Sequence, residues 1–402
     1  MSQPHLPIKY PTKPFGGFAM HDTTRYHYMD NLRALAMLSG VIFHAALAYS
    51  PLMRPFYPAA DSVQSNYVDV GIWLLHMFRM PLFILVAGFF TAMLIRKRGM
   101  GGMFVNRLKR IALPLVIFCP LVLWAMGYST MQAAASVENP SPVLAMIQQF
   151  SQMTNPPQQP PSTAHLWFLY YLLFFYALVW TLKSLGLGKL GNFVRELNPT
   201  WQLGMFPLLL VPALASVTAP HPAPESLFPQ FWAFGFYGPF FAFGYLMYGH
   251  EVLIERLRRF APWLLLGSLV LYGAFWYLFK RHVPTMEDTS ATVLLAVTEA
   301  YISVWMTCVC LVAGRSLLNR SNRVLRYLSD SSYWVYIVPL PLLFVIQYRL
   351  MDMDLPWGTK FTISLVATSA ICLITYHLLV RRTLIGKLLG ARQPLVAAAT
   401  VS

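Results

Sequence analysis

An arginine and a histidine stand eleven residues apart in the stretch DNLRALAMLSGVIFHAALAY: Arg33 and His44. From Ala34 to Ala48 the histidine is the sole ionisable residue. In a helix, eleven steps of about 100° return to nearly the same face and climb roughly 16 Å. A neutral imidazole can take a proton from a hydroxyl near pH 7 and give it back. Inside hydrocarbon an ionisable side chain is costly and usually marks a pathway or a reacting group. Each residue also has an ordinary explanation. His44 can hydrogen-bond a neighbouring helix, and Arg33, near the end of the segment, can snorkel into headgroups. Their shared face favours chemistry without deciding it.

Other residues invite the same question. In RKRGMGGMFVNRLKRIALPL, Arg107 and Arg110 are three apart, neighbours on one helical face. Guanidinium pairs suit phosphate recognition by forked hydrogen bonds. Taken alone, the cluster is better explained as topology-setting charge beside anionic lipid. Arg79, in HMFRMPLFILVAGFF, and Glu299, in AVTEAYISVW, are charges within apolar segments. They require a partner or water: one another, His44, or separate groups. His165 and Trp167 open HLWFLYYLLFFY, where anchoring in an aromatic belt is the usual explanation for the tryptophan. His76, three residues before Arg79, either shares its site or faces the outer water.

The elements that must position these residues are membrane helices. Of 402 residues 57% are hydrophobic and 11% charged, against about a quarter charged in soluble domains. Runs of spanning length fall at about 30–50, 68–95, 111–130, 165–184, 202–219, 231–249, 262–279, 292–313, 332–349 and 360–380. The expected fold is an all-α polytopic membrane protein of about ten transmembrane helices, with both termini cytosolic. Basic residues orient it: twenty-three lie in segments on the side of the N-terminus and five on the other, which the positive-inside rule makes cytosolic and outer respectively. This alternation also argues against nucleic acid as the reason for the net charge of +15.

Residues 1–28 are polar and Pro/Gly-punctuated, without the apolar core of a signal peptide, and are expected to stay cytosolic. Residues 29–382 form a single transmembrane domain, with an irregular outer loop at about 131–164 and a short helix near Val143–Met153. Residues 383–402 form a cytosolic tail. Helices 5 and 6 are interrupted by Pro207, Pro212 and Pro239, which either line a cavity or are tolerated kinks. Cys119, Cys308, Cys310 and Cys372 all sit in apolar runs and read as small buried hydrophobes; no metal site is expected.

Together these residues resemble the acyltransferase-3 family of integral membrane acyltransferases. The resemblance is carried by an ordered set: Arg33 and His44, FRMPLFILVAGFF, RLKR, HLWFL, and SSYWVYIVPLP in the ninth helix. It covers about residues 30–380 and is nearest the branch that succinylates osmoregulated periplasmic glucans. It implies transfer of an acyl group from cytosolic acyl-CoA to a carbohydrate hydroxyl at or beyond the outer face of a bacterial inner membrane. It implies His44 and Arg33 as the catalytic pair, and Arg107 and Arg110 as contacts of the CoA donor. Arg79, Glu299, His165 and Trp167 complete the candidate substrate-binding set. No bound cofactor is implied; succinyl-CoA or acetyl-CoA is a co-substrate, and a succinyl carboxylate could pair with Arg79. The chain departs from the branch after Tyr336, where relatives often carry histidines and this sequence reads Ile-Val-Pro-Leu-Pro.

A carrier of a small solute or glycan precursor is the competing class, since ten helices with breaks and buried charges also suit a solute path. No inverted repeat supports it, and it leaves the arginine–histidine set unexplained.

Overall fold

Apolar segments in a bilayer must satisfy their backbone groups internally, which leaves helices as the open-chain solution. The computed structural model describes residues 26–158, 160–186, 203–282, 289–320 and 322–389, and its regular elements are all helical apart from one isolated bridge, Ser162–Ser226. The expected N-terminal segment up to residue 25, the inward loop with Lys189 and Arg195, and the tail from residue 390 lie outside the described residues.

The helices are α1 (His27–Leu47), α2 (Asn66–Arg107), α3 (Leu113–Ser136), α4 (Pro142–Ser151), α5 (Trp167–Ser184), α6 (Leu203–Ala215) and α7 (Phe231–Met247). They continue as α8 (Val252–Arg258), α9 (Ala261–His282), α10 (Thr289–Leu317), α11 (Arg323–Ile337), α12 (Pro339–Met351), α13 (Trp357–Thr375) and α14 (Leu384–Leu389). Each expected apolar run coincides with a helix or a bent pair.

Five stretches are long and apolar enough to cross a membrane: Asn66–Ser136, Ala164–Ser184, Ala261–Arg281, Thr289–Leu317 and Trp357–Val380. Joining α11 and α12, bent by 68°, makes six. The first stretch, at 71 residues, is far longer than the roughly 20 residues one crossing needs, and it holds two of the expected runs. It is interrupted at Gly99, whose φ of 70° breaks α2, and by a π-helical turn over Leu108–Ala112. The other expected runs fall short by composition or length. α1 carries Asp30, Asn31, Arg33 and His44, and α7 has 17 residues.

α2 runs through the middle of the bundle and packs on α1, α5, α7 and α10. Its contact with α7 depends on two glycines. A Cβ at Gly88 would overlap the Phe241 carbonyl, and one at Gly244 the Leu85 carbonyl. Small residues at such crossings let helix backbones approach closely in a membrane.

The links between loops sort by side. Thr163 N–H donates to Glu225 O at 2.7 Å, Leu227 N–H to Pro161 O at 3.1 Å, and Ser141 Oγ to Pro58 O at 2.7 Å. Asn139 N–H donates to Asp352 Oδ1 at 3.0 Å, and Lys360 Nζ pairs with Asp61 Oδ2 at 2.8 Å. All of these segments share one side of the expected alternation. On the other, Asn31 Nδ2 donates to Leu318 O at 2.7 Å and Arg315 Nε pairs with Glu255 Oε1 at 2.6 Å.

Candidate functional site

A cavity opens where the C-terminal half of α1 meets α2, the start of α5 and the α11–α12 bend. Ala36, Met37, Gly40, Val41 and His44 line it from α1, with Arg79 from α2, His165, and Tyr336. The spacing of the α1 residues is one helical stripe, and the same stripe continues down to Arg33.

The bend builds one wall. Pro341 has no N–H to offer the Ile337 carbonyl, so the helix cannot close that hydrogen bond. His165 supplies the missing donor: its Nε2 lies 3.1 Å from both Tyr336 O and Ile337 O. Tyr336 returns the link by donating its hydroxyl to His165 O at 2.5 Å. Two carbonyl acceptors at Nε2 place the proton there, leaving Nδ1 a bare acceptor. That Nδ1 is buried without a hydrogen-bond partner among the described residues. The His44 ring stands edge-on to His165, 6.3 Å between centroids.

Arg79 is 9% exposed, and no carboxylate pairs with it among the described residues. Its guanidinium lies over the Phe43 ring at 4.8 Å and reaches beneath α1 at Gly40. A buried cation stacked on an aromatic face but lacking an anion is costly for stability and suited to bind negative charge.

The other candidates lie elsewhere. Glu299 does not meet Arg79 or His44. Its Oε1 accepts from His221 Nδ1 at 2.7 Å and from the His221 N–H at 3.1 Å. Trp167 is buried against Tyr237, with centroids 5.2 Å apart, so it is a core residue rather than an anchor at the lipid interface. Arg33 is outside the cavity: its Nη2 is 3.1 Å from Ser329 Oγ and 3.5 Å from Asp30 Oδ1. Arg107 ends α2, with its guanidinium over Tyr176 at 5.0 Å, and Arg110 is exposed. A π-helical turn over Leu108–Ala112 carries Arg110, so the α-helical spacing expected for the two arginines is not kept there.

Three predicted residues, His44, Arg79 and His165, therefore share one cavity. Sequence reasoning missed Tyr336 as a lining group, and His221 and Phe43 altogether. A lone histidine between prolines in APHPAP carries no periodic signal. Gly40 was accessible, standing four residues before His44 on the same face.

A family model described as an acyltransferase domain matches residues 26–377. Proteins called "Glucans biosynthesis protein C" from Salmonella paratyphi B, Salmonella heidelberg and Salmonella paratyphi A are each 24% identical over 397 residues, covering 92% of this chain and 96% of theirs. No solved structure matches.

Proposed function

The chain belongs to the acyltransferase-3 family of membrane acyltransferases, and from that premise we propose that it moves an acyl group from cytosolic acyl-CoA to a hydroxyl of a periplasmic glucan. The observation that carries the reading is the convergence of His44, Arg79 and His165 on one cavity from three separate helical segments. The relatives' printed name supplies the glucan. The same reading places the protein in a bacterial inner membrane with about ten crossings and cytosolic termini. The sorting of loop contacts by side and the basic asymmetry support that topology.

In this mechanism His44 is the general base. Its neutral imidazole takes the proton as the acceptor oxygen attacks the thioester carbonyl, and a C–O bond forms. The carbonyl oxygen becomes an oxyanion, which Arg79 stabilises from its water-poor position. The C–S bond then breaks, and the proton held by His44 passes to the departing thiolate. His165 and Tyr336, locked by reciprocal hydrogen bonds, hold the wall opposite His44. The His165 Nδ1 lone pair offers the acceptor hydroxyl a second contact. Arg33 continues the cavity stripe inward and acts at the cytosolic end of the donor path. Arg107 and Arg110 hold the donor's phosphates. A succinyl donor would set its distal carboxylate against a cation, whereas an acetyl donor has none to place.

The test is transfer of label from acyl-CoA to glucan in membrane vesicles. Wild-type protein should acylate, and His44→Ala and His44→Gln should lose most of the activity, of the order of the 10²–10⁴-fold supplied by general bases. Full activity in either variant overturns the base assignment. Solute flux without acyl transfer would make the chain a carrier.

A further inference from the structure

Glu299 and His221 form a buried acid–histidine pair that the mechanism above does not use. Both side chains are within 1% of complete burial. On α10, Glu299 Oε1 accepts two hydrogen bonds from one residue, the backbone and ring N–H groups of His221. This clamps both the loop backbone and the ring tautomer. The His221 carbonyl is thereby aimed at His76, whose Nε2 donates to it at 2.8 Å. The two imidazoles also pack against each other at a tilt of 31°, 4.5 Å between centroids.

His76 in turn stacks on Phe43, with centroids 5.2 Å apart and planes 21° apart. Phe43 immediately precedes His44, and its ring carries the Arg79 guanidinium at 4.8 Å. A continuous set of contacts therefore runs from Glu299 through His221, His76 and Phe43 to the two groups that face the cavity. His76 and Arg79 are three residues apart on α2, so the same contacts also set the roll of that helix beneath α1.

We infer that Glu299 and His221 are positioning residues, which fix Phe43 and through it the relative placement of His44 and Arg79. The inference rests on the acyltransferase reading, but it concerns residues that lie outside the cavity. The physical reason is geometric. An arginine side chain is long and flexible, and one whose guanidinium rests on an aromatic face, with no carboxylate beside it among the described residues, needs that face immobile. A misplacement of about 1 Å at reacting groups can cost as much as a hundredfold in rate.

The experiment is steady-state acyl transfer by purified protein in vesicles, normalised to folded protein. Glu299→Ala should lower kcat by about tenfold or more, while the donor KM stays within about twofold. Glu299→Gln keeps an oxygen that can accept from His221, and should return kcat to within about threefold of wild type. A purely structural role would reduce the amount of folded protein and leave its kcat unchanged. Should Glu299→Ala not fold, His76→Leu breaks the same chain of contacts with the acid–histidine pair intact, and should show the same loss of kcat. Wild-type kcat in folded Glu299→Ala or in His76→Leu overturns the inference, as does a Glu299→Gln variant as slow as Glu299→Ala. An inactive wild-type protein would instead overturn the acyltransferase reading, so the two failures are distinguishable.

Discussion

The guanidinium of Arg79 occupies the space that a side chain at Gly40 would fill: a Cβ there would lie 2.7 Å from Arg79 Nη1. The glycine in α1 is thus what admits a buried cation beside His44. Gly40→Ala should push the end of Arg79 aside at little cost in stability, because the displaced group is the tip of a flexible chain. We expect kcat to fall by about tenfold or more with a nearly unchanged unfolding temperature. Gly40→Val should be worse. An alanine variant with wild-type kcat would show that Arg79 need not occupy this place.

Lys360 and Asp61 form an ion pair 1% and 2% exposed, with Nζ also 3.2 Å from the Met351 carbonyl. Removing one partner leaves the other charge buried and unpaired. Asp61→Ala or Lys360→Met should each destabilise the protein by about 3–5 kcal/mol, while the double change to Leu and Met recovers much of that loss. Thermal unfolding in detergent, read for both singles and the double, tests it. Additive losses would mean the pair is not coupled.

Glu225 sits on the outer loop tied to Thr163, and although the residue is exposed by area, desolvation by the protein around its carboxyl pushes it up to about 7. An acid raised in the folded state holds a proton that the unfolded chain has already released. Its contribution is therefore favourable at low pH and is lost as pH rises from 4.5 to about 7, with a constant cost above. Relative to Glu225→Gln, wild type should lose unfolding temperature across that window and no further beyond it. Parallel pH curves for the two proteins would contradict this.

Arg107 and Arg110 differ in setting, one lying over Tyr176 and the other exposed. Replacing either by alanine should raise the donor KM by roughly tenfold, the worth of a charge-assisted hydrogen bond, with kcat little changed. The effect at exposed Arg110 should shrink as salt rises, since screening reaches it more readily. Donor KM values that do not move would return both residues to a topological role.

Composition and hydropathy already specified membrane helices, because no other open-chain structure satisfies its backbone in hydrocarbon. The asymmetry of loop charge suggested an orientation, and the 11-residue spacing put Arg33 and His44 on one stripe. These are local properties, readable from neighbours in the chain. The partners were not. Glu299 meets His221 across 78 residues, and His165 meets Tyr336 across 171. Such meetings depend on how helices cross, which glycines allow backbones to approach, and which prolines strand a carbonyl. Sequence alone left Glu299 free to pair with Arg79 or His44. Tertiary packing decided otherwise, because a loop histidine, His221, occupies the acid through both its backbone and its ring N–H.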